Sequence, residues 1–568
     1  MRIPLFMFIS VSLPLLLTAS LAQSKEKDGE ATKLTSSVKL VLIPTIVTDK
    51  SGGHVSGLKI ESFSLQEDGK SRRVAVFEEV KTDKTRLRRT AGESGKFSNL
   101  EAGQSGYHRL SIIVLDFVNT RFSDQSSARA ALIKFLTQVA ESGEPMCLLA
   151  LDRSGVTVIH EFTDDPKNLA EALRRLSANH EPLVHEMQTE ASAPPATDAL
   201  SSVLNKLIRE MRQTEKQLES VERKDTAMLS LDGLSQIAKA FGGLPGRKSL
   251  IWASAGFPYS LSPPSKLLCE PACPVQQRTE IQPLYDRLWR TMNDAQIAIY
   301  SIDLRSLATS NLQAGSGSDT FTHPYDVGDG AFDKAAEEKW ETQDTSATLR
   351  LFAENTGGKA FTNSNDLIQG FRQAVEDDSN YYMLGYYVER SKTKPGWHKL
   401  TVTVREKGVH ARFRNGFFLA EGHPTGYLRE DMRLALISPL DFAGIPVTVS
   451  WSGNGPGREP GKNKVQFDLT MPAGFALVDE GDQNHMLLDV AAVARNAKGE
   501  AAGEASQHID RHLNAEGLEQ IRQNGMTYRG ALQLVPGEYM VRFVVRDSLA
   551  DRMGSVAAPI KVAPLIGN

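Results

Sequence analysis

Four runs along the middle of the chain are almost continuously apolar, unlike the alternating stretches around them: Leu110–Leu115, Met146–Leu151, Ser249–Ser254 and Ile297–Ile302. Runs of that length read as strands buried on both faces. Between them the period changes to 3.6. Ser123-Asp124 opens a helix whose apolar positions are Ala128, Ala131, Leu132, Phe135, Leu136 and Val139. Pro166 starts a second helix within its first turn. A third, from about Thr226 to Phe241, sets Leu231, Leu234, Ile237, Ala238 and Phe241 on one face and stops at Gly242-Gly243, with Pro245 just beyond. Further helical stretches lie near 282–293, 346–355 and 364–377, and Val156–His160 and Lys359–Thr362 complete the strands. Strands that alternate with helices pair in parallel, because each crossover needs a helix. The strands Tyr381–Val388, His398–Val404 and Val409–Phe413 close this segment, which is expected to span 107–420 with irregular insertions at 180–225 and 306–343.

The flanks follow a different rule. Residues 38–80 hold short strands separated by Asp49-Lys50-Ser51-Gly52-Gly53 and Asp68-Gly69, whose residues tolerate the positive φ of tight turns. They predict a small β module, and 81–106, rich in Lys, Arg, Ser and Gly, predicts a linker. From 421 to 568 helical periodicity nearly disappears. Val447–Trp451, Val465–Met471, Leu487–Ala494, Ala531–Leu534 and Tyr539–Arg546 read as strands, only 512–523 as helix, and the Pro536-Gly537 turn suits an immunoglobulin-like closing hairpin. The expected fold class is therefore multidomain α/β plus β: a Rossmann-like domain with a mostly parallel central sheet and helices on both faces, flanked by sandwich-like β modules.

Composition narrows the function classes. A net charge of −4 over 568 residues offers no electrostatic footprint for nucleic acid. Arg2, the apolar stretch Ile3–Leu17 and Ser20-Leu21-Ala22 form a secretory signal peptide cut after Ala22, followed by a flexible leader at 23–37. No later stretch is long and apolar enough to span a bilayer. The mature chain is expected in a periplasm or outside the cell. There, an oxidising environment lets Cys269 and Cys273 close a small disulfide ring, while Cys147, inside an apolar run, reads as a buried thiol.

Five motifs in one order carry a family likeness: Val-Thr-Asp-Lys at 47–50 with Phe-Ser-Leu-Gln-Glu-Asp-Gly-Lys at 63–70, Leu-Asp-Phe-Val-Asn-Thr at 115–120, Leu-Pro-Gly-Arg-Lys-Ser-Leu-Ile-Trp at 244–252, Ala-Glu-Asn-Thr-Gly-Gly-Lys-Ala-Phe at 353–361 and Tyr-Tyr-Met-Leu-Gly-Tyr at 381–386. Over residues 38–418 the chain resembles the von Willebrand factor A-type proteins abundant in acidobacteria. The resemblance implies protein or cell-surface binding through a metal-ion-dependent adhesion site. That site uses Asp-x-Ser-x-Ser after the first strand, a Thr on a second loop and an Asp after a later strand, with oxygen ligands that suit Mg²⁺. Carried over residue by residue, Asp116 matches the first Asp, Thr120 the second hydroxyl and Thr226 the second-loop Thr. Val118 stands at the first Ser, and Ser254-Ala255-Gly256 replaces the usual Thr-Asp-Gly. The site is degenerate on this count. It implies weakly bound Mg²⁺ or no cofactor, with Asn119 and Asp303 the substitutes for a rearranged site. The plainer role for Asp116 is to bond neighbouring amides at a helix start.

An enzyme is the competing class. The chain carries no Gly-x-Ser-x-Gly elbow, no Walker loop and no helical i, i+4 histidine pair. His54, His108, His160 and His398 read as surface or strand residues. The mixed charges of 203–224 read as a solvated helix face, and Tyr381, Tyr382, Tyr386, Tyr387 and Trp397 as strand packing. The sequence is read as a non-enzymatic adhesion protein that binds at the carboxyl edge of its central sheet. The alternatives are a hydrolase on the same scaffold, with Asp116 and Asp303 as its acids, or a purely structural envelope protein.

Overall fold

Every residue of Leu110–Asp116, Lys248–Ser254 and Ile297–Asp303 is buried. Strands with no exposed position must be covered on both faces, which puts them at the centre of a layered domain. The computed structural model describes residues 38–81, 95–100, 110–120, 122–138, 145–176, 221–257, 275–305, 346–362, 367–377, 379–389, 392–419, 428–473 and 484–564. In it the three strands lie within a six-stranded sheet, ordered Ala360–Phe361, Ile297–Asp303, Lys248–Ser254, Leu110–Asp116, Met146–Asp152, Gly155–Thr163. All neighbours run parallel except the last pair. In chain order the winding goes one way for three strands and then restarts on the other side of the first. A crevice forms at such a reversal, beyond the carboxyl ends of the strands.

Helices cover both faces, as the alternation predicts. Phe135, Leu136, Leu169, Leu173 and Phe371, from helices Phe122–Gln138, Pro166–Arg175 and Leu367–Asp377, fill one side. Helices 221–241, Val275–Asp294 and 346–356 fill the other through Leu234, Ile237, Leu288, Trp289 and Phe352. Trp252 sits among them, edge-on to Phe257 and Phe352.

The strands expected to close the 107–420 segment go elsewhere. Asn380–Glu389 pairs antiparallel with both Val38–Thr48 and Val76–Lys81, and Gly396–Val404 pairs with Phe63–Glu67. Two four-stranded sheets result, sharing a core of Val41, Ile43, Leu65, Tyr382, Leu384, Tyr386, Leu400 and Phe417. The division into 38–80 and 107–420 therefore fails at its edges, since neither segment completes this sandwich alone. Burial alternates along Gly396–Val404, which suits one layer of a sandwich and not a sheet covered twice. Part of the expected linker is also fixed. Lys96–Ser98 adds an edge strand to Thr448–Ser450, and the Asn99 amide brackets Phe442 O, Ile445 O and Val447 N at 2.6, 2.8 and 2.9 Å.

With Lys96–Ser98 as one edge, the C-terminal region forms two four-stranded sheets over a single apolar core. The helix expected at 512–523 is Ala515–Asn524, capped by Asn514 Oδ1 on Gly517 N at 2.8 Å. Helix Leu428–Ile437 and strands Ala501–His512 and Arg552–Val562 were not expected. Residues 501–512 are mostly exposed and lack an apolar alternation, as an edge strand can.

The unexpected helix joins the sandwich to the α/β layer. Its buried Asp431 accepts from Lys239 Nζ at 2.7 Å and from the Arg287 guanidinium, with Arg546 of the sandwich 3.9 Å away. Arg546 also reaches Asp551 at 3.2 Å, and Asp551 reaches Arg290 at 2.5 Å. Burial alone would raise the Asp431 carboxyl; the Lys239 and Arg287 charges outweigh it and hold the group below its ordinary value of 3.8. Beside this cluster Gly243 meets the sandwich backbone. A Cβ there would lie 1.5 Å from Ala443 O, while Ala443 N donates to Ala240 O at 3.0 Å. Gly243 thus serves close approach as well as ending a helix.

Two outcomes follow from this seam. Gly243→Ala is expected to cost about 3 kcal/mol in urea unfolding, because the clash is with backbone. Asp431→Asn leaves buried cations uncompensated and is expected to cost about 3 kcal/mol at neutral pH. Asp431 is depressed in the fold, so its contribution is complete above pH 3.8 and is lost as pH falls through the lower folded value. Wild type and Asp431→Asn should converge in stability in that acid window.

Candidate functional site

Asp116 ends the first inner strand beside the winding reversal. Its neighbours come from both sides of that reversal. Oδ1 accepts from Val118 N at 3.1 Å and Asn119 N at 3.0 Å, turning the chain toward helix Phe122–Gln138. Oδ2 accepts from Asn119 Nδ2 at 2.7 Å, Trp252 Nε1 at 3.0 Å and Ser254 Oγ at 2.8 Å. The side chain is 1% exposed. Burial pushes its carboxyl above the ordinary 3.8, opposed by the hydrogen bonds from Asn119, Ser254 and Trp252.

The other matched positions take structural partners too. Thr120 Oγ1 accepts from Ala255 N at 3.1 Å, tying the loop after the first strand to the loop after Lys248–Ser254. Gln125 Nε2 holds Thr120 O at 3.0 Å. Thr226 is buried in helix 221–241; one turn later Ser230 Oγ donates to its carbonyl at 2.9 Å and accepts from Asn119 Nδ2 at 2.8 Å. Asp116 and Thr120 are thus brought to one edge, and Ser230, not Thr226, makes the hydrogen bond that links the second segment to Asn119. Val118 is buried among apolar side chains. Asp303 is bidentate with Arg305, at 3.1 Å through Nε and 2.8 Å through a terminal nitrogen, and lies 3.3 Å from Ser346 Oγ.

Asn119, Trp252, Ser254 and Ser230 are the side chains that organise this edge, and Trp252 and Ser230 were not singled out from the sequence. A Trp inside a buried strand does carry a signal, because its N–H must find an acceptor. The ordering of donors has a chemical consequence. N–H groups aimed at a carboxylate supply no lone pair to a cation, and four of the five donors on the Asp116 oxygens are of that kind, the fifth being the Ser254 hydroxyl.

The remaining candidates divide. Tyr381, Tyr382 and Tyr386 are buried, as packing would have them, while Tyr387 and Trp397 are exposed. His398 and His160 are strand residues, as expected; His398 is buried between Asp68 Oδ2 at 2.8 Å and Lys394 O at 2.7 Å, and the partly buried His54 stacks on Tyr382. Cys147 is a free buried thiol, pushed up by desolvation. Cys269, Cys273, His108, the signal peptide and most of 203–224 lie outside the described residues. Among the described residues no helix is long and apolar enough to cross a membrane.

Comparison with family models found no match, and neither did comparison with curated proteins. Among solved structures the chain is similar to a glycosyl hydrolase family 2 member from Bacteroides cellulosilyticus DSM 14838, with TM-score 0.15, 10% identity, and 32% of this chain and 20% of that chain covered. It is similar to a beta-glucuronidase from Bacteroides uniformis at TM-score 0.14 and 9% identity, covering 32% and 19%. The chain spans about a fifth of the length of these two proteins. Likeness at such scores carries no argument about fold or activity.

Asp116→Asn tests the role of the carboxylate. An amide placed there turns its NH2 toward at least two donors whichever way it is oriented. The expected loss is about 2 kcal/mol in urea unfolding, reflecting donors left unsatisfied in a buried site. A variant as stable as wild type would contradict this arrangement.

Proposed function

We propose that this chain is an exported, non-enzymatic binding protein. Its α/β domain is of the von Willebrand factor A type and recognises a protein or cell-surface component at the carboxyl rim of its sheet, without a resident metal ion. The observation that carries the reading is the closed donor shell of Asp116: five protein donors fill the place where the family's adhesion site would coordinate Mg²⁺. The strand order, with its reversal beside Leu110–Asp116 and one antiparallel edge, supports the placement of a recognition rim there. The turn Asp152–Gly155 opens on this rim with Arg153 exposed. Export rests on the N-terminal leader pattern.

The hydrolase reading has less support. General acid–base work needs a carboxyl that can exchange a proton with substrate. Asp116 is wrapped by donors, and Asp303 is paired with Arg305.

The test uses the whole mature chain, since the 380–419 strands need those of 38–81. Calorimetry with MgCl2 and with MnCl2 should give no saturable binding. Fluorescently labelled chain should bind envelopes isolated from the producing organism equally with and without EDTA, and about tenfold less tightly as Arg153→Glu, a rim-charge reversal. Stoichiometric Mg²⁺ binding that disappears in Asp116→Asn would restore a metal site. Turnover of nitrophenyl esters or glycosides, abolished by the same substitution, would make the protein an enzyme.

A further inference from the structure

The outward face of the C-terminal sandwich carries a second constellation, unrelated to the sheet rim. His485–Arg495 and Ala501–His512 pair antiparallel, with His485 opposite His512, Leu487 opposite Asp510 and Asp489 opposite His508. Alternate residues of a strand share a face, so three histidines and two aspartates line one side of this hairpin. The intervening Met486, Leu488 and Val490 fill the core, which turns the histidine side away from it.

At the end of the hairpin the groups converge. The His485 and His512 rings stack with centroids 4.3 Å apart and planes 5° from parallel. His485 Nε2 lies 2.9 Å from Asp510 Oδ1, and one ligand atom from each of the three residues falls within 4.8 Å of the others. The backbone beneath them is held. Leu513 N donates to Asn484 O at 3.1 Å, and Asn484 Nδ2 to Leu513 O at 3.3 Å. The next rung is anchored as well: His508 Nδ1 meets Asp489 Oδ1 at 2.7 Å, and Ser548 Oγ donates to Asp489 Oδ2 at 3.0 Å. Side-chain exposure is graded, 14% for His485 and 55% for Asp510, so one wall is sheltered and the approach is open.

We propose that His485, Asp510 and His512 form a zinc-binding site on the outward face of the C-terminal sandwich. Two imidazole nitrogens and one carboxylate oxygen are a donor set for a borderline cation, whereas Mg²⁺ and Ca²⁺ favour oxygen alone. Three protein ligands leave a fourth tetrahedral position for water or for an anionic group of a partner. The required adjustment is small, because the strands fix the three Cα positions and only side-chain torsions need to close on the ion. The site does not rest on the proposed function of the sheet rim. The competing account is a cross-strand ion pair with a stacked ring, which gives neither zinc affinity nor a defined stoichiometry.

The experiment is calorimetry of the full mature chain, prepared without a histidine tag, with ZnCl2 as the only added ligand. One equivalent should bind with micromolar affinity, and MgCl2 should give no heat. His512→Ala and His485→Ala should each weaken zinc at least thirtyfold, Asp510→Asn about tenfold, and His160→Ala not at all. His512 is exposed, so its variant should keep the wild-type urea midpoint, separating loss of a ligand from loss of fold. Co²⁺ should develop visible d–d absorption in wild type and not in the double variant His485→Ala/His512→Ala. Absence of saturable zinc binding, or zinc binding unchanged in that double variant, would overturn the proposal.

Discussion

A carboxylate with no access to water must be satisfied by the protein, and Asp116 meets that condition with donors from two separate parts of the chain. Val118 and Asn119 follow it directly, while Trp252 and Ser254 lie more than a hundred residues on, across the reversal in the sheet. The bonds fix which strand lies beside Leu110–Asp116 and how the two loops at its end meet. Thr120 on Ala255 repeats the link. Because an unmet buried polar group costs as much as several ordinary contacts, this edge is assembled as a unit or not at all.

The chain leaves and re-enters its domains, and the same physics explains why. A sandwich layer with one apolar face must find a partner layer wherever it lies in sequence. Val38–Thr48 and Phe63–Glu67 find theirs in residues 380–404, after the whole α/β layer has been made. Lys96–Ser98 finds its neighbour at Thr448–Ser450. The seam between the α/β layer and the C-terminal sandwich is set by an unshared pair of features: a glycine that lets two backbones touch, and a buried aspartate facing three basic side chains. Such a seam holds a relative orientation more firmly than an apolar contact would, since every alternative position leaves a charge unpaired.

The two proposed sites differ in chemistry. The carboxyl rim is closed by internal hydrogen bonds and offers shape and peripheral charge. The histidine face of the C-terminal hairpin is open and offers nitrogen and oxygen lone pairs. The far end of the chain thus presents polar chemistry that the closed rim around Asp116 does not.

Much of the α/β layer was legible in the sequence, because a strand covered twice must be continuously apolar and a covering helix must repeat every 3.6 residues. The runs at 110–115, 146–151, 249–254 and 297–302 and the helices between them declare themselves in that way, and the carboxylate at position 116 is visible as the end of one run. Pairing partners, by contrast, leave no local trace. Alternation shows that Gly396–Val404 has one buried face but not that Phe63–Glu67 lies beside it, and the exposed Ala501–His512 has no apolar pattern to read. The donors that Trp252 and Ser254 bring to Asp116 leave no trace in the residues around position 116. His485 and His512, 27 residues apart, become neighbours only through strand register. Sequence by itself determined which segments must be buried; tertiary structure alone decided which buried segments touch, because register and sheet order are properties of two strands together and not of either one.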